Sequence, residues 1–293
     1  MMVGRLMLAA MLLVTAVLLP PAGVVTTAEL VRVQGSGSVD AASDVVWILA
    51  LGSDARPGEQ VLGSRADAIQ LVGLNIRTGA ATVIGIPRDS YVDVPGYGRN
   101  KINSAMLYGG PQLMARAVAD MVGLTPDYVF TTSFLGLQAM VKALGGVTVY
   151  SPFSWSIPVA TVRRGNNTLN GAEALAFARM RHELPGGDFD RSRDQGLLLL
   201  GGLRRVRELT AEPGTLERLV ASFLANTDID LPAAELYRLA RAVLQVQPAR
   251  VSRCVLPGRA GTAGAASVVF PDIGKARALT RRASGDATLR RGC

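Results

Sequence analysis

Residues 178–195, ARMRHELPGGDFDRSRDQ, set two arginine pairs, Arg179 with Arg181 and Arg191 with Arg193, on either side of a Pro-Gly-Gly break. Only 18% of the chain is charged, so the density here is unusual for it. Arginines two apart ordinarily mark a solvated face. Their other use is to hold phosphate, because a planar guanidinium can bond two oxygens at once. A second group of candidates flanks apolar runs. LGSDARPGE puts Asp54 and Arg56 after one run, and SRADAIQLV puts Arg65 and Asp67 before the next. Two facing carboxylates repel unless an arginine or a cation lies between them. Hard ions such as Mg²⁺ are held by one or two carboxylates completed by substrate phosphates. The plainer reading is an Asp turn with surface ion pairs. IPRDSYVDVPGYGRNKINSA adds Arg88 and Asp89 after a third run, then Arg99 and Lys101 on a Gly-rich loop.

Other chemistries lack their residues. His182 is the one histidine and no Gly-x-Ser-x-Gly elbow accompanies it, which argues against a Ser-His-Asp hydrolase. One His and two distant Cys do not build the usual zinc sites. No Walker A or Gly-x-Gly-x-x-Gly motif follows a strand, since GSGS falls in a linker. Cys254 and Cys293 leave two readings open, a disulfide suited to an oxidising compartment and a free buried Cys254.

The elements that must carry these residues read as alternating strands and helices. VVWILALGS (45–53), AIQLVGLNI (68–76) and ATVIGIP (81–87) are β-branched or aliphatic runs bounded by turns, and RTGA joins the last two as a hairpin. Helical spacing with Pro at its start predicts a helix over 111–124. YVFTTS and VTVYS read as strands around a helix, FLGLQAMVKALGG, closed by Gly145 and Gly146. NGAEALAFARMR is a helix capped by Asn170. Helices are expected over 192–211, 213–226 and 233–245, then strands at SRCVLP and SVVF. The pattern predicts an α/β/α sandwich around a central mixed sheet.

At 293 residues the chain can bury a sizeable core. Net charge is +8 and the pI about 10.1, and Lys101, Lys142 and Lys275 are the only lysines. Such a balance fits nucleic acid, an anionic membrane or phosphorylated substrates; high genomic GC content would also favour arginine. Residues 6–28, LMLAAMLLVTAVLLPPAGVVTTA, carry no charge. Their length fits a membrane anchor, and Pro20-Pro21 followed by Thr26-Thr27-Ala28 also fits a cleaved signal peptide. Either places residue 30 onward outside the cytoplasmic membrane. The expected organisation is a leader over 1–29, a linker over 30–44 and a single catalytic domain over 45–293. Export and only 5% aromatics weigh against a nucleic-acid partner.

Taken in order, GSDAR, SRADAIQLV, IPRDSYVDVPGYGRNKINSA, ALGGVTVYSP, LNGAEALAFARMR and GDFDRSRDQ form a specific series. It resembles the LytR-CpsA-Psr family of cell-wall ligases over roughly residues 45–275. The resemblance implies a membrane-anchored phosphotransferase, acting outside the cytoplasm. It would move a glycopolymer from a polyprenyl diphosphate to a muramic-acid hydroxyl of peptidoglycan. Asp54 and Asp67 match the acids that hold Mg²⁺ or Mn²⁺. Arg65, Arg88, Arg179, Arg181, Arg191 and Gln195 match the groups that grip the phosphates, and Lys101 matches a basic position in KIN. Asp54, Asp67, Arg88 and Arg181 are the expected catalytic set. The resemblance also implies a hydrophobic pocket between sheet and helices for the lipid tail. Ala66 and Ala68 replace the usual Ser and Thr around the second acid, and Asp194 and Gly196 depart from the family's pattern after Asp188. Whether Arg193 or Asp194 faces the site is left open. Asp89 reads as a structural partner of Arg88, with proton acceptance by it or by a metal acid as the other role. The alternatives are a polyprenyl diphosphatase, in which water replaces the sugar hydroxyl, and a non-catalytic envelope regulator. The Arg- and Ala-rich composition points to a high-GC bacterium, for which arabinogalactan or another secondary wall polymer is the expected cargo.

Overall fold

The computed structural model describes residues 27–39, 44–56, 58–210, 221, 223–225, 227–289 and 293. The apolar leader up to residue 26 and most of the expected helix 213–226 lie outside them. Among the described residues no helix is long and apolar enough to cross a membrane.

Short apolar runs build the sheet. β1 (Ala28–Arg32), β2 (Val45–Ser53), β3 (Ala66–Asn75) and β4 (Ala81–Gly85) come first, followed by a hairpin of β5 (Tyr91–Val94) and β6 (Gly98–Lys101). Next are α1 (Ser104–Val122), β7 (Tyr128–Thr132), α2 (Phe134–Ala143) and β8 (Val147–Ser151). β9 (Trp155–Ile157), β10 (Ala160–Val162) and β11 (Gly165–Leu169) lead into α3 (Gly171–Arg179) and α4 (Asp188–Leu209). The chain ends with β12 (Thr227–Asp230), α5 (Ala233–Gln245), β13 (Val251–Val255), β14 (Gly258–Ala263), β15 (Ala266–Pro271) and α6 (Ile273–Ala283). Seven strands form one sheet in the order β12-β1-β7-β2-β3-β4-β13. β2 runs antiparallel to β3, and β3 to β4, while β7 and β13 join as parallel neighbours of β2 and β4. The sheet is mixed, as the RTGA hairpin requires.

Alternation along the strands supplies both layers. Leu49, Leu51, Ile69, Leu71 and Ile84 pack with Leu113, Met114 and Val118 of α1 and with Ala276 and Leu279 of α6. On the opposite face Leu30, Val46 and Tyr128 meet Leu239 of α5. The buried Gln70 there donates to the backbone oxygen of Ser192 in α4 at 3.0 Å. Gly85 makes that approach feasible, since a Cβ there would lie 2.6 Å from Ser192 Oγ. Phe177 of α3 is fully buried in a smaller cluster with Val147, Val149 and Trp155.

Three differences from the sequence expectations have physical reasons. Residues 28–32, divided there between leader and linker, form β1 inside the sheet, paired with β12 and β7. α1 starts at Ser104 and breaks at Gly109 and Gly110, whose backbones are not helical, before Pro111 resumes it. α4 starts at Asp188, four residues early, because Asp188 and Asp190 place negative charge in a first turn that favours it. The cysteine alternatives resolve as a disulfide: Cys254 of β13 is bonded to Cys293.

Candidate functional site

The C-terminal ends of β2, β4 and β7 and the N-terminal end of β3 lie together at one edge of the sheet. Ligand crevices in α/β sheets form outside such carboxyl ends. Asp54 follows β2 and is held against the residue before β3. Its N–H donates to Arg65 O at 3.0 Å, and Arg65 N–H donates to its Oδ1 at 2.8 Å. The Ser53–Ala66 pairing then leaves Asp67 two residues along from Arg65.

A network of charges follows from there. Arg88, just past β4, is ion-paired with Asp67 and lies 3.9 Å from Asp89. Asp89 also receives Lys101 Nζ at 3.1 Å and Arg181 at 3.8 Å. Its N–H points to Asp188 Oδ2 at 3.5 Å, and Asp188 pairs in turn with Arg191. Arg88, Lys101, Arg181 and Arg191 thus converge from β4, β6, the turn after α3 and the first turn of α4. Four cations share three carboxylates, so the cluster carries a positive excess.

Burial raises the stakes of that charge. Burial alone would lower Arg88, but the Asp67 and Asp89 carboxylates and the hydrogen bond to Asp67 outweigh it and hold its pKa above the ordinary value. Arg191 is 6% exposed, and its pKa is lowered, chiefly by burial and then by the charge of Arg88, with Asp188 opposing. Arg88 Nε is buried with no hydrogen-bond partner. A buried donor left unmatched is costly, and an oxyanion beside it would satisfy it.

The remaining expected residues have other surroundings. Arg65 is exposed, and among the described residues its guanidinium makes no ion pair. Arg179 is exposed too, with its guanidinium 4.5 Å from the centre of the Phe134 ring. The Gln195 amide is spent on protein groups. Its Nε2 donates to Asp67 O at 3.2 Å and Ala178 O at 3.0 Å, and its Oε1 accepts from Gln70 at 3.3 Å. It ties β3, α3 and α4 together. Arg193 points elsewhere, paired with Asp190 at 2.6 Å and Asp194 at 2.8 Å and stacked on Phe153. Asp194 is buried behind it, and burial pushes its carboxyl up to about 6 against the pull of Arg193. Neither joins the Asp89 cluster. Asp188 and Phe134 are contributors that the sequence reading did not single out. The i,i+3 spacing of Asp188 and Arg191 on a helix was the available signal.

A cavity of about 40 Å³ borders the cluster, lined by Gly52, Asp67, Thr132, Phe134, Leu137 and Leu175 with Arg179, Arg191 and Gln195 at one side. It has room for a few waters and not for a prenyl chain, so the expected lipid pocket is closed here. A larger concavity of about 580 Å³ lies away from the charges, between the end of α2 and the start of α3, and none of the expected site residues borders it.

For a divalent ion, the donor chemistry of Asp54 and Asp67 fits. One oxygen of each has a partner, Arg65 N–H or Arg88, and the other is not hydrogen-bonded among the described residues. No three acidic, histidine or cysteine side chains gather as a metal site among the described residues. An ion here would therefore need oxygens from the substrate.

A family model described as the LytR_cpsA_psr family matches residues 24–284. The chain is 38% identical over 154 residues to the regulatory protein MsrR of Staphylococcus aureus (strain COL), covering 51% of this chain and 46% of that protein. It is 36% identical over 169 residues to polyisoprenyl-teichoic acid–peptidoglycan teichoic acid transferase TagU of Bacillus subtilis (strain 168), covering 57% and 54%. The chain thus spans about half the length of the curated relatives it matches. Its fold is similar to that of TagT with bound octaprenyl pyrophosphate lipid, with a TM-score of 0.65 and 22% identity over 87% of this chain and 99% of that one. At that identity the likeness is one of fold.

Proposed function

The chain belongs to the LytR-CpsA-Psr family, and on that premise we propose that it transfers a glycopolymer from a polyprenyl diphosphate to a peptidoglycan hydroxyl. The observation that carries the reading is Arg88. It is half-buried between Asp67 and Asp89, its Nε 3.9 Å from Asp89 Oδ1 and without a hydrogen bond, in a cationic cluster beside an apolar cavity. Relatives named as teichoic acid transferases support the same chemistry.

In the proposed reaction the acceptor hydroxyl oxygen attacks the phosphorus bonded to the polymer. The bond from that phosphorus to the bridging oxygen breaks, the prenyl monophosphate leaves with the electron pair, and the hydroxyl proton passes to a nearby carboxylate or to water. No protein nucleophile is required. Negative charge grows on the leaving phosphate, and the fixed cations Arg88, Arg181 and Arg191 stabilise it more in the transition state than before it. Lys101 and Arg179 sit at the margins, where they would hold the diphosphate's outer oxygens. Asp54 and Asp67 would hold Mg²⁺ or Mn²⁺, which when bound supplies further positive charge to the phosphate oxygens. The apolar side chains of Phe134, Leu137 and Leu175 would receive the lipid as α2 and α3 part. The uncharged stretch 6–28 would place this cleft outside the cytoplasmic membrane.

The test is a purified full chain given a prenyl-diphosphate-linked polymer, peptidoglycan and Mg²⁺. The expected product is polymer joined by a phosphodiester to glycan fragments after muramidase digestion. Prenyl phosphate released with water as the only acceptor would make the protein a diphosphatase, and no release at all would overturn both.

A further inference from the structure

Residues 28–32 belong to the sheet, so no tether separates the fold from the uncharged stretch that precedes it. That stretch covers residues 6–28, follows Arg5, and runs straight into β1 at Ala28. A bilayer's hydrocarbon core takes roughly 20 apolar residues, so a spanning stretch leaves about three before the sheet, or about 10 Å of extended chain. Nothing longer is there to lift this edge of the sheet clear of the headgroups.

The surroundings of the exit are fixed by backbone and partly apolar. Ala28 pairs with Thr132, the last residue of β7, so the chain leaves the fold at the sheet edge that carries the cation cluster. Ser133 N–H donates to Thr27 O at 2.8 Å, and the Ser133 hydroxyl caps α2 by accepting from Gly136 N–H at 3.1 Å. A Cβ on Gly136 would lie 2.7 Å from Thr27 O, so glycine is what lets the first turn of α2 close on the exit. That turn presents Leu135, a large apolar side chain left 44% exposed. Phe134 beside it lines the apolar cavity and carries the exposed Arg179 guanidinium on its ring. Such a pairing suits a bilayer interface, where a leucine enters the acyl boundary and an arginine stays among the phosphates.

We propose that the first turn of α2 is a second membrane contact, in which Leu135 enters the bilayer interface and holds the domain with its cation edge down. The partner is the lipid surface that takes residues 6–28. The domain is then docked rather than swung on a linker, and the cluster of Arg88, Arg181 and Arg191 faces the headgroup layer. The contact is independent of the transfer reaction, since it orients the domain before any donor binds. The opposite edge supplies a control. Gln247 N–H donates to Gly79 O at 2.8 Å, which places the last turn of α5, with the exposed Val243, beside the β3–β4 turn.

The experiment reconstitutes the full chain in phosphatidylcholine vesicles whose acyl chains carry bromine at a shallow or a deep position, with no donor present. Tryptophan emission is read for Leu135→Trp and Val243→Trp against wild type, whose Trp47 and Trp155 are buried. Both substituted positions are exposed, so the fold tolerates the ring. Leu135→Trp should gain a blue-shifted emission that shallow bromines quench more than deep ones, and Val243→Trp emission should not be quenched. Unquenched Leu135→Trp emission, or equal quenching of the two variants, would overturn the contact. So would quenching that appears only at high protein density, which would make the turn a contact between copies. Chain recovered from cells without residues 1–28 would overturn it too, because the leader would then be a removed signal. Quenching of Leu135→Trp in a protein that releases no prenyl phosphate would instead remove the transfer reaction and leave the membrane contact standing.

Discussion

The Asp89 carboxylate and the Lys101 ammonium lie 3.1 Å apart where the end of β4 meets β6. Asp89 is 6% exposed and also has Arg88 at 3.9 Å and Arg181 at 3.8 Å. Its geometry is that of a hub facing three cations, of which Lys101 is the nearest. Asp89→Asn should therefore lower kcat/KM by about tenfold, with the limbs of the pH–rate profile unmoved. Loss of the acidic limb in that variant would instead make Asp89 the proton acceptor. Asp89→Ala should also lower the melting temperature, because it leaves Arg88, Lys101 and Arg181 without their shared anion.

Asp54 and Asp67, the acids proposed to hold the metal, differ in what their loss disturbs. Asp67 also anchors Arg88, whereas the Asp54 side chain accepts only from Arg65 N–H among the described residues. Asp54→Ala is thus the cleaner probe. It should abolish Mg²⁺-stimulated release of prenyl phosphate and weaken Mn²⁺ binding seen by electron paramagnetic resonance, with little change in melting. Full turnover by either Ala variant in the presence of EDTA would remove the metal from the reaction.

Much of the fold was legible where a run is continuously apolar or keeps a regular strand or helix period. The run 45–53 is β2 to the residue, 147–151 is β8 and 233–245 is α5. Of the hairpins β5–β6 and β14–β15 only β15, the run SVVF, was legible as a strand, because half-exposed, Gly-rich runs such as GYGRNK and GRAGTA lack an apolar face. Strand order was also hidden. Nothing local in AELVR says that it pairs between β12 and β7, since that depends on contacts about 100 and 200 residues away. Residue types pointed to the cations Arg88, Lys101, Arg181 and Arg191, which the fold does gather. They did not show that the amide of Gln195 is consumed by Asp67, Ala178 and Gln70, because hydrogen-bond partners depend on tertiary placement.

Near the far edge of the sheet, Glu29 is half-buried with Asp228 and Asp230 close by, and its Oε2 has no partner. Burial and those two charges push its pKa up from 4.5 to about 7. The folded state therefore binds the proton more tightly than the unfolded chain between those values. By linkage, this group makes stability fall as pH rises through that window. Glu29→Gln should flatten the slope of melting temperature between pH 5 and 8 and raise the value at pH 8. An unchanged slope would mean that Glu29 is solvated.

The opening arginines give the sharpest test, because the structure separates them. Arg181 and Arg191 belong to the Asp89–Asp188 cluster, Arg179 sits at the cavity rim on Phe134, and Arg193 is held by Asp190, Asp194 and Phe153. Arg→Lys keeps the charge and loses the bidentate fork. A lost charge-assisted bond to phosphate costs about 1.5–3 kcal/mol, or roughly one to two decades in kcat/KM if it is made in the transition state. Arg181→Lys and Arg191→Lys should show that loss. Arg179→Lys should show a smaller one, since its guanidinium is exposed and stacked rather than buried among carboxylates. Arg193→Lys should leave turnover near wild type while lowering melting, because its partners hold the fold and not the substrate. Turnover of prenyl diphosphate and thermal melting for all four variants decide the matter. Wild-type turnover at Arg181 and Arg191 would make the cluster an ion-pair network that only holds α3 and α4 against β4.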